Sequence, residues 1–592
     1  MLPPRVRGAW VAPTAALTAF LFSLTGCSHR TRVSRLTEEF VYTVLSFSPS
    51  SATAAGLHRY QNQNLDGQLD DLGPAAMDHQ ARFYRDFNQR LLQLDPETMS
   101  AEDRADWSIM VDRTGLALFD LVEMRGYRHD PLRYVETLGN ALYIPYVLDY
   151  APKTERFRHI SSRLRKVPLL LDQATANIAS APSIWTKAAI EVNRGIINLV
   201  DDEIRAGVPP ELRKDYDDAA RIALAAMRRF QDYMENKLQY LDNAGWTLNR
   251  DAYSRKFHYM LESGGTPSDL LVNTEREFDK VRARMFDLAL PLHRALAPAH
   301  KDHPELGDLE RQQAVIGEVL ESIASRHSTP ESLMDDLRGD VEEAREFARQ
   351  KNLLTLPGGA NLQVMPTPEF RISIAAVSEF QPAPALDPKL SAFFRITPIP
   401  PGLPKERVES RLREYNFYRL KLLALRTAVP GRYVQTEAAN TVEPPFRRLL
   451  RTVFGAHAYI QGWGEYAAQA MVSEGFSGDS PEMALTLGKE QLRAIADAIL
   501  DVRLHMLNMS DAEALTLLEK GAFQETEEAE QKLRLAKLTA CELPGYFVGA
   551  ANWLAARAEY QAARGASPAE FHDRALRQGA VPMSSLVPVL TH

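Results

Sequence analysis

The sequence contains 592 residues, of which 45% are hydrophobic and 25% are charged, as is typical of soluble globular proteins. The mean hydropathy of -0.28 argues against a polytopic membrane protein. The net charge of -8 is spread along the chain, which argues against nucleic acid as a partner.

The first 26 residues have the pattern of a bacterial lipoprotein signal peptide. Arg5 and Arg7 supply a positive start, residues 8–26 carry no charge, and the segment ends in Leu-Thr-Gly-Cys at Cys27. This ending resembles a lipobox, in which small residues precede the cleavage point and a thiol receives diacylglycerol. We therefore predict cleavage before Cys27, its lipidation with diacylglycerol and palmitate, and a membrane anchor. Ser28 fits sorting to the outer membrane. The alternatives are a plain transmembrane anchor or a coincidental cysteine.

Cys541 is the only cysteine that remains once Cys27 is lipidated. The mature chain therefore forms no intramolecular disulfide, and its stability must come from a buried core. Because Cys541 lies in an apolar segment with a helical pattern, we expect it to be a buried structural residue rather than a nucleophile.

From Thr37 onward the apolar residues recur mostly at helical spacing. One example, with members three or four positions apart, is the series Val408, Leu412, Tyr415, Tyr418, Leu422 and Leu425. Proline and glycine fall mostly between such runs, as in residues 207–210, 264–267 and 357–359. No repeat or convincing linker divides the chain, so residues 27–592 are predicted to form a single, mainly α-helical domain.

Residues 361–400 are the exception, and we predict that they form a small β-sheet inserted in the helical body. Residues 362–364, 370–375 and 393–396 are short and rich in branched or aromatic side chains. Prolines bound them, as is typical of strands. The predicted fold is therefore a large helical body with a small β insert.

Several short motifs follow one another along the chain. They are Pro-Ser-Ser-Ala-Thr-Ala-Ala-Gly-Leu-His at residues 49–58 followed by Asp66 and Asp71, Met-Ser-Ala-Glu-Asp-Arg-Ala-Asp at 99–106, Gly462-Trp463 with Tyr466, Asp501 with His505, Pro-Gly-Tyr-Phe-Val-Gly at 544–549, Phe571-His572-Asp573, and Gly-Ala-Val-Pro at 579–582. In this order and spacing they resemble the bacterial domain-of-unknown-function family 885. The resemblance extends from about residue 35 to the C-terminus.

The resemblance implies a zincin-like, mostly helical peptidase fold. Members of the family typically carry His-Glu-Ala-x-Pro-Gly-His-His-x-Gln on one helix and Glu-Gly-Trp on a later one. In such a site zinc takes about three nitrogen or oxygen ligands and a water molecule, and a nearby glutamate acts as general base.

This chain departs from the family pattern at the first half of the zinc motif. Pro430, Gly431 and Gln435 fix the alignment. Arg426 then stands where the first histidine is expected, and Thr427 stands where the catalytic glutamate is expected. The resemblance therefore supplies neither the first ligand nor the general base.

The second half of the motif also departs from the family pattern. Arg432 and Tyr433 stand at the positions of the histidine pair, and Gln461 replaces the glutamate of Glu-Gly-Trp. We interpret these positions as a degenerate metal site, and we expect no metal and no cofactor there.

Two arginines at this place would exclude zinc. An arginine 4 Å from a divalent ion is repelled by about 8 kcal/mol at an effective dielectric constant of 20. Arg426 and Arg432 would instead suit an anionic group such as a carboxylate or a phosphate. The alternative is that both pair with Glu437, Glu465 or another acid on a neighbouring helix.

A second polar cluster follows on one helix. Asp497, Asp501 and His505 lie four positions apart and share one helical face. Such a column could hold a cation, although a salt bridge or hydrogen bond is the more common arrangement. His457 is expected to be a core or hydrogen-bonded residue rather than a ligand.

Three residues are candidates for catalysis without a metal. Glu465 shares a helical face with Gln461, His505 lies on a later helix, and Tyr546 has a hydroxyl that could stabilise an oxyanion. The alternative for Tyr546 is a buried side chain with a satisfied hydroxyl.

The leading hypothesis is a catalytically inactive envelope lipoprotein with a metallopeptidase-like fold. Its cleft would bind a peptide, a cell-wall fragment or a partner protein, and its lipid on Cys27 would hold it at the outer membrane, facing the periplasm. The first alternative is a metal-independent hydrolase, for which acid–base groups alone give roughly 10²–10⁴-fold acceleration. The second is a structural scaffold whose old cleft is filled by side chains.

Overall fold

Helices form most of the protein, as seen in a computed structural model that describes residues 31–241, 245–262, 265–296, 301–358, 361–375, 377–400 and 402–591. The prediction of a mainly α fold with a small β insert is confirmed. Cys27 and the predicted signal peptide lie outside the described residues. Among the described helices, none has the length and apolar character needed to span a bilayer.

The N-terminal helices surround two neighbouring hydrophobic cores. They are α1 (Arg32–Phe47), α2 (Pro49–Ala55), α3 (Pro74–Leu92), α4 (Ala101–Leu118), α5 (Pro131–Val147), α6 (Lys153–Leu164), α7 (Val167–Asn177), α8 (Ser183–Asn198), α9 (Arg205–Gly207) and α10 (Arg213–Asn236). Phe87 and Leu91 of α3 show the pattern, because they lie one turn apart and are both fully buried. A short hairpin that the sequence did not predict, β1 (Arg59–Tyr60) with β2 (Gln63–Asn64), follows α2.

The middle of the chain contributes long helices. They are α11 (Arg250–Leu261), α12 (Pro267–Leu296), α13 (Asp308–Ala324) and α14 (Leu333–Lys351). Met285 and Ala289 of α12 and Val315 of α13 are buried in a third core, which they share with the later helix at residues 481–506.

The C-terminal helices follow in close succession. They are α15 (Lys405–Glu414), α16 (Phe417–Thr427), α17 (Arg432–Ala439), α18 (Pro445–Val453), α19 (His457–Ser473), α20 (Pro481–Met506), α21 (Asp511–Leu515), α22 (Thr526–Leu538), α23 (Pro544–Arg564), α24 (Pro568–Leu576) and α25 (Met583–Thr591). The apolar run predicted over residues 408–425 is divided between α15 and α16. The division falls at Asn416, whose side chain caps α16 by accepting a hydrogen bond from the Arg419 amide at 3.1 Å.

The predicted β insert is a three-stranded sheet with the order β3 (Leu362–Pro366), β5 (Ala392–Ile396), β4 (Ser378–Gln381). β3 and β5 run parallel, with Leu362 opposite Ala392. β4 runs antiparallel to β5, with Ser378 opposite Ile396.

The strand predicted at residues 370–375 is wrong, because that segment begins with a 3₁₀ turn and the strand starts only at Ser378. The physical reason is Phe370, which is 1% exposed and inserts between α5 and α8. Its ring lies against Gly139, where an added Cβ would come within 2.6 Å, and its backbone lies against Gly195. The apolar character of this segment therefore serves helix packing rather than strand formation.

Two glycines allow α19 and α23 to cross with their backbones in contact. A Cβ at Gly462 would overlap the backbone of Gly549, and a Cβ at Gly549 would overlap the carbonyl of Ala458. Helix backbones approach this closely only where both surfaces lack side chains. These glycines belong to two of the sequence motifs, so part of the motif pattern encodes this crossing.

We predict that Gly462→Ala and Gly549→Ala each destabilise the folded protein by about 1–3 kcal/mol, because a rigid backbone meets the new methyl group. The measurement is the urea midpoint followed by far-UV circular dichroism. The control is Gly339→Ala, since Gly339 lies within α14 with no atom near its Cβ position. That change should be neutral or stabilise by up to about 1 kcal/mol. Equal midpoints for all three variants would contradict the close crossing.

Candidate functional site

A cavity of about 150 Å³, open to solvent on one side, lies where the second half of the chain comes together. β4 forms one wall, α16 and the first residue of α17 form another, and α15, α19, α20, α22 and α23 complete it. The β insert therefore contributes directly to the cavity. Six basic and seven acidic side chains line it, so its charge is mixed rather than positive.

The Pro430–Gly431 pair separates α16 from α17, so the degenerate motif is divided between two helices instead of lying on one. The Trp463 indole donates hydrogen bonds to the carbonyls of Pro430, at 2.9 Å, and Gly431, at 3.1 Å. A Cβ at Gly431 would overlap the carbonyl of Arg426, so only glycine fits this bend. The bend brings Arg426 and Arg432 to the same cavity.

The structure brings four of the five degenerate positions together. Arg426, Thr427, Arg432 and Gln461 all line the cavity. Tyr433 does not line it and is fully buried in the neighbouring core. Its hydroxyl donates a 2.7 Å hydrogen bond to Asn361.

Arg426 forms ion pairs with two acids beside the cavity. Its guanidinium contacts the Glu465 carboxylate, and it lies 2.9 Å from Glu490. For this arginine the ion-pair alternative is confirmed. Burial raises the pKa of Glu465 to about 7, although the Arg426 charge opposes that rise.

A buried network of ion pairs continues from Glu490. Arg419 lies 3.0 Å from Glu490, 2.8 Å from Glu528 and in contact with Glu414. Arg493 contacts the same three acids, at 3.3 Å from Glu414 and from Glu490. These charges neutralise one another, so the network forms a fixed part of the cavity wall rather than a free binding group.

Arg432 lines the same cavity but does not belong to this network. Within the described residues it forms no ion pair, and its Nε atom is buried without a hydrogen-bond partner. Its guanidinium lies 5.8 Å from the ring centroid of Phe380, which orients it as a cation–π contact. Burial lowers the pKa of Arg432, and Tyr546 beside it opposes that fall. Glu437, which we considered as a partner, is instead 3.5 Å from the Asn361 amide.

Gln461 supplies a second unpaired group in the same cavity. Its Oε1 atom is buried without a hydrogen-bond partner. The cavity therefore presents a guanidinium that lacks an acceptor and an amide oxygen that lacks a donor. Buried polar groups of this kind favour a ligand that completes them.

The residues at the degenerate positions do not fit zinc. They offer neither imidazole nor carboxylate, and the neighbouring Glu465 is already paired with Arg426. Within the described part of the chain, no three histidine, cysteine or acidic side chains around this cavity bring ligand atoms together. No step of a metal-dependent mechanism can therefore be assigned to this cavity.

The column of Asp497, Asp501 and His505 is occupied by internal partners. Asp497 lines the cavity and pairs with Lys532 at 2.6 Å. Asp501 is buried outside the cavity lining and accepts a 2.7 Å hydrogen bond from the Tyr253 hydroxyl. The three side chains thus serve three different contacts and do not converge on one ion.

His505 does not share the cavity with the other two catalytic candidates, Glu465 and Tyr546. Its Nδ1 accepts a hydrogen bond from the Leu248 amide at 3.3 Å, and its Nε2 donates to the Thr539 carbonyl at 3.0 Å. Burial lowers the pKa of His505, consistent with this neutral tautomer.

Two other expectations about buried residues are confirmed. Cys541 is fully buried, although it lies between α22 and α23 rather than in a helix. Burial raises the pKa of its thiol well above the ordinary value, so it is a poor nucleophile. The Nε2 of His457 donates a 3.0 Å hydrogen bond to the Glu542 carbonyl.

Sequence reasoning missed most of the cavity wall. It did not select Phe380, because the strand that carries this residue was predicted at residues 370–375 instead of 378–381. It also missed Arg419, Glu490 and Arg493. A signal was present in α20, where Glu490, Arg493 and Asp497 recur at helical spacing and so share one face with Asp501.

The fold and the site define a mainly α-helical protein with a cavity walled by paired charges. Residues 49–589 match the model of a family described as "Bacterial protein of unknown function (DUF885)", and the chain belongs to that family. The resemblance drawn from the motifs is thus confirmed, while the relation to zincins stays a prediction.

Solved structures with the same fold extend the comparison. One is a "putative lipoprotein of unknown function" from Shewanella oneidensis, with a TM-score of 0.75, 24% identity, and coverage of 95% of this chain and 100% of that chain. Another is the "putative lipoprotein" from Colwellia psychrerythraea, with a TM-score of 0.76, 16% identity, and coverage of 95% of this chain and 98% of that chain. No curated protein matches the chain.

Proposed function

We propose that this chain is a lipid-anchored envelope protein whose cavity binds a carboxylate-bearing peptide without hydrolysing it. The observation that carries the proposal is Arg432, a guanidinium in the cavity whose Nε is buried and unpartnered. A guanidinium and a carboxylate form two parallel hydrogen bonds, so a ligand carboxylate would complete this residue.

The second unpaired group favours a peptide over a simple anion. The Gln461 Oε1 needs a donor, and a peptide N–H supplies one, whereas a phosphate at neutral pH has few protons to donate. A peptide end offers both a carboxylate for Arg432 and an N–H for Gln461. A cell-wall peptide and the C-terminus of a partner protein share this chemistry.

The groups present support binding without hydrolysis. Zinc chemistry is not available to Arg426, Thr427 or Arg432, and the carboxylate of Glu465 is held by an ion pair. An oxyanion formed near Arg432 would be stabilised, but a group that activates water is needed as well.

Placement in the envelope rests on the lipobox-like ending at Cys27 and on the two solved structures described as lipoproteins. We propose that the lipid on Cys27 holds the protein at the outer membrane, facing the periplasm, where extracellular and cell-wall peptides are found.

The test is calorimetric titration of the mature chain with acetylated tripeptides that carry a free C-terminal carboxylate. The same tripeptides with an amidated C-terminus are the matched control. We expect the free acids to bind about 10- to 100-fold more tightly, which corresponds to a charge-assisted hydrogen bond. Equal affinity for both series would contradict the role of Arg432, and mass spectrometry of the recovered peptides checks that they remain intact.

A metal-independent hydrolase is the alternative, and one observation favours it. The pKa of Glu465 is raised to about 7, the range of a general base. Hydrolysis of the tripeptides or their para-nitrophenyl esters that is lost in Glu465→Gln, but kept in Glu437→Gln, would support this alternative. Glu437 is a suitable control because it is half-buried and does not line the cavity.

A further inference from the structure

Two histidines and a glutamate meet where α12 connects to α13, apart from the cavity. His293 lies in the last turn of α12, His303 in the connection, and Glu318 on α13. One ligand atom from each lies within 4.8 Å of the others. None of the three belongs to the motifs that identify the family.

The three side chains already point at one another. The Nε2 of His293 lies 2.8 Å from one Glu318 oxygen, and the Nε2 of His303 lies 2.9 Å from the other. Both imidazoles therefore present the same nitrogen to a single carboxylate. Two imidazoles with a carboxylate are a common ligand set for zinc.

The opposite nitrogen of His293 is held in the way that metal ligands usually are. Its Nδ1 lies 3.1 Å from Asp302, and Asp302 is fixed by Arg294 at 2.7 Å. A carboxylate on the second nitrogen sets the ring orientation and directs the Nε2 lone pair toward the position that a metal would take. His293 is only 1% exposed, so its ring is also fixed by packing.

We propose that His293, His303 and Glu318 bind a divalent transition-metal ion, with zinc as the best fit. Tetrahedral zinc with bonds of 2.0–2.1 Å places its ligand atoms about 3.3 Å apart. The two Nε2-to-oxygen distances would have to widen by about half an ångström, which the exposed Glu318 side chain can supply. Solvent at Glu318 can fill the fourth position. Two imidazoles disfavour calcium and magnesium, which prefer oxygen ligands.

The effect of such an ion follows from the position of the site. It would link the end of α12 to α13 and the connection between them. α12 and α13 share a core with α20, and α20 contributes Glu490, Arg493 and Asp497 to the cavity. The metal would therefore stabilise a support of the cavity without touching the bound peptide.

The test is titration of the chelator-treated mature chain with zinc chloride. We expect one zinc per chain with a dissociation constant below about 1 µM, and a higher unfolding temperature when zinc is present. His303→Gln and Glu318→Gln should each weaken binding by about 100-fold, and Asp302→Asn by about 10-fold. Each change should also reduce the thermal shift that zinc produces.

The matched control is His258→Gln, an exposed histidine in the last turn of α11, which should bind zinc like the unaltered chain. Glu318 is exposed, so its variant keeps the test valid if substitution of a histidine impairs folding. The proposal is overturned if the unaltered chain binds no zinc, or if Glu318→Gln binds it as tightly. Peptide binding is measured separately, so its failure would not affect this result.

Discussion

Replacing Arg419 by methionine should destabilise the folded protein by about 3–5 kcal/mol, because breaking a buried ion pair leaves charge without compensation. Arg419 is 1% exposed and contacts three carboxylates, those of Glu414, Glu490 and Glu528. Arg493 remains as a counter-charge but cannot neutralise all three. The measurement is the urea midpoint, together with the slope of the transition.

The matched comparison is Arg407→Met. Arg407 contacts Glu527, but half of its side chain is exposed, so the loss should be about 0–1 kcal/mol. Similar losses for Arg407→Met and Arg419→Met would mean that the network is hydrated and contributes no more than surface pairs do.

The same network sets the sign of the pH dependence. Burial acts to raise the pKa of Glu414, but Arg419 and Lys489 outweigh it, so the pKa lies below its ordinary value of 4.5. This contribution to stability is present above pH 4.5 and is lost as the pH falls through the lowered pKa. Glu465 contributes a pH dependence of stability with the opposite sign, because its pKa is raised to about 7. Its contribution is complete below 4.5 and is lost as the pH rises through 7.

The sequence predicted the helical body, the β insert and the bend at Pro430–Gly431 because each depends on local patterns. Spacing of apolar residues identifies helices, and Pro430–Gly431 identifies a bend. The strand predicted at residues 370–375 was wrong for a non-local reason. Phe370 packs on Gly139 and Gly195, which are distant in the chain, and no local pattern records that contact.

Non-local contacts also explain why the sequence could not predict that, among the described residues, Arg426 is ion-paired and Arg432 is not. Arg426 and Arg432 are six positions apart and look equivalent in the sequence. Glu490 lies on α20, 64 positions beyond Arg426, and only the fold brings it to that arginine. Arg432 emerges on the other side of the bend, where Phe380 and Tyr546 face it instead of an acid. The bend thus separates an arginine held in two ion pairs from one that forms no ion pair within the described residues.

This difference leads to opposite expectations for the two arginines. Arg432→Met should reduce affinity for the free-acid tripeptides by about 10- to 100-fold, to the level of the amidated peptides. It should leave stability unchanged or raise it, because a buried and unpaired cation is replaced by an apolar side chain of similar length. Calorimetry and urea unfolding of the same preparation measure both quantities.

Arg426→Met is the matched variant, since it removes the same charge from the same cavity. It should destabilise the protein by about 3–5 kcal/mol, because Glu465 and Glu490 lose their partner. A large loss of stability in Arg432→Met would show that Arg432 has an internal structural role. Unchanged peptide affinity in that variant would place the carboxylate elsewhere. Loss of binding without loss of stability is the result that separates a binding arginine from a structural one.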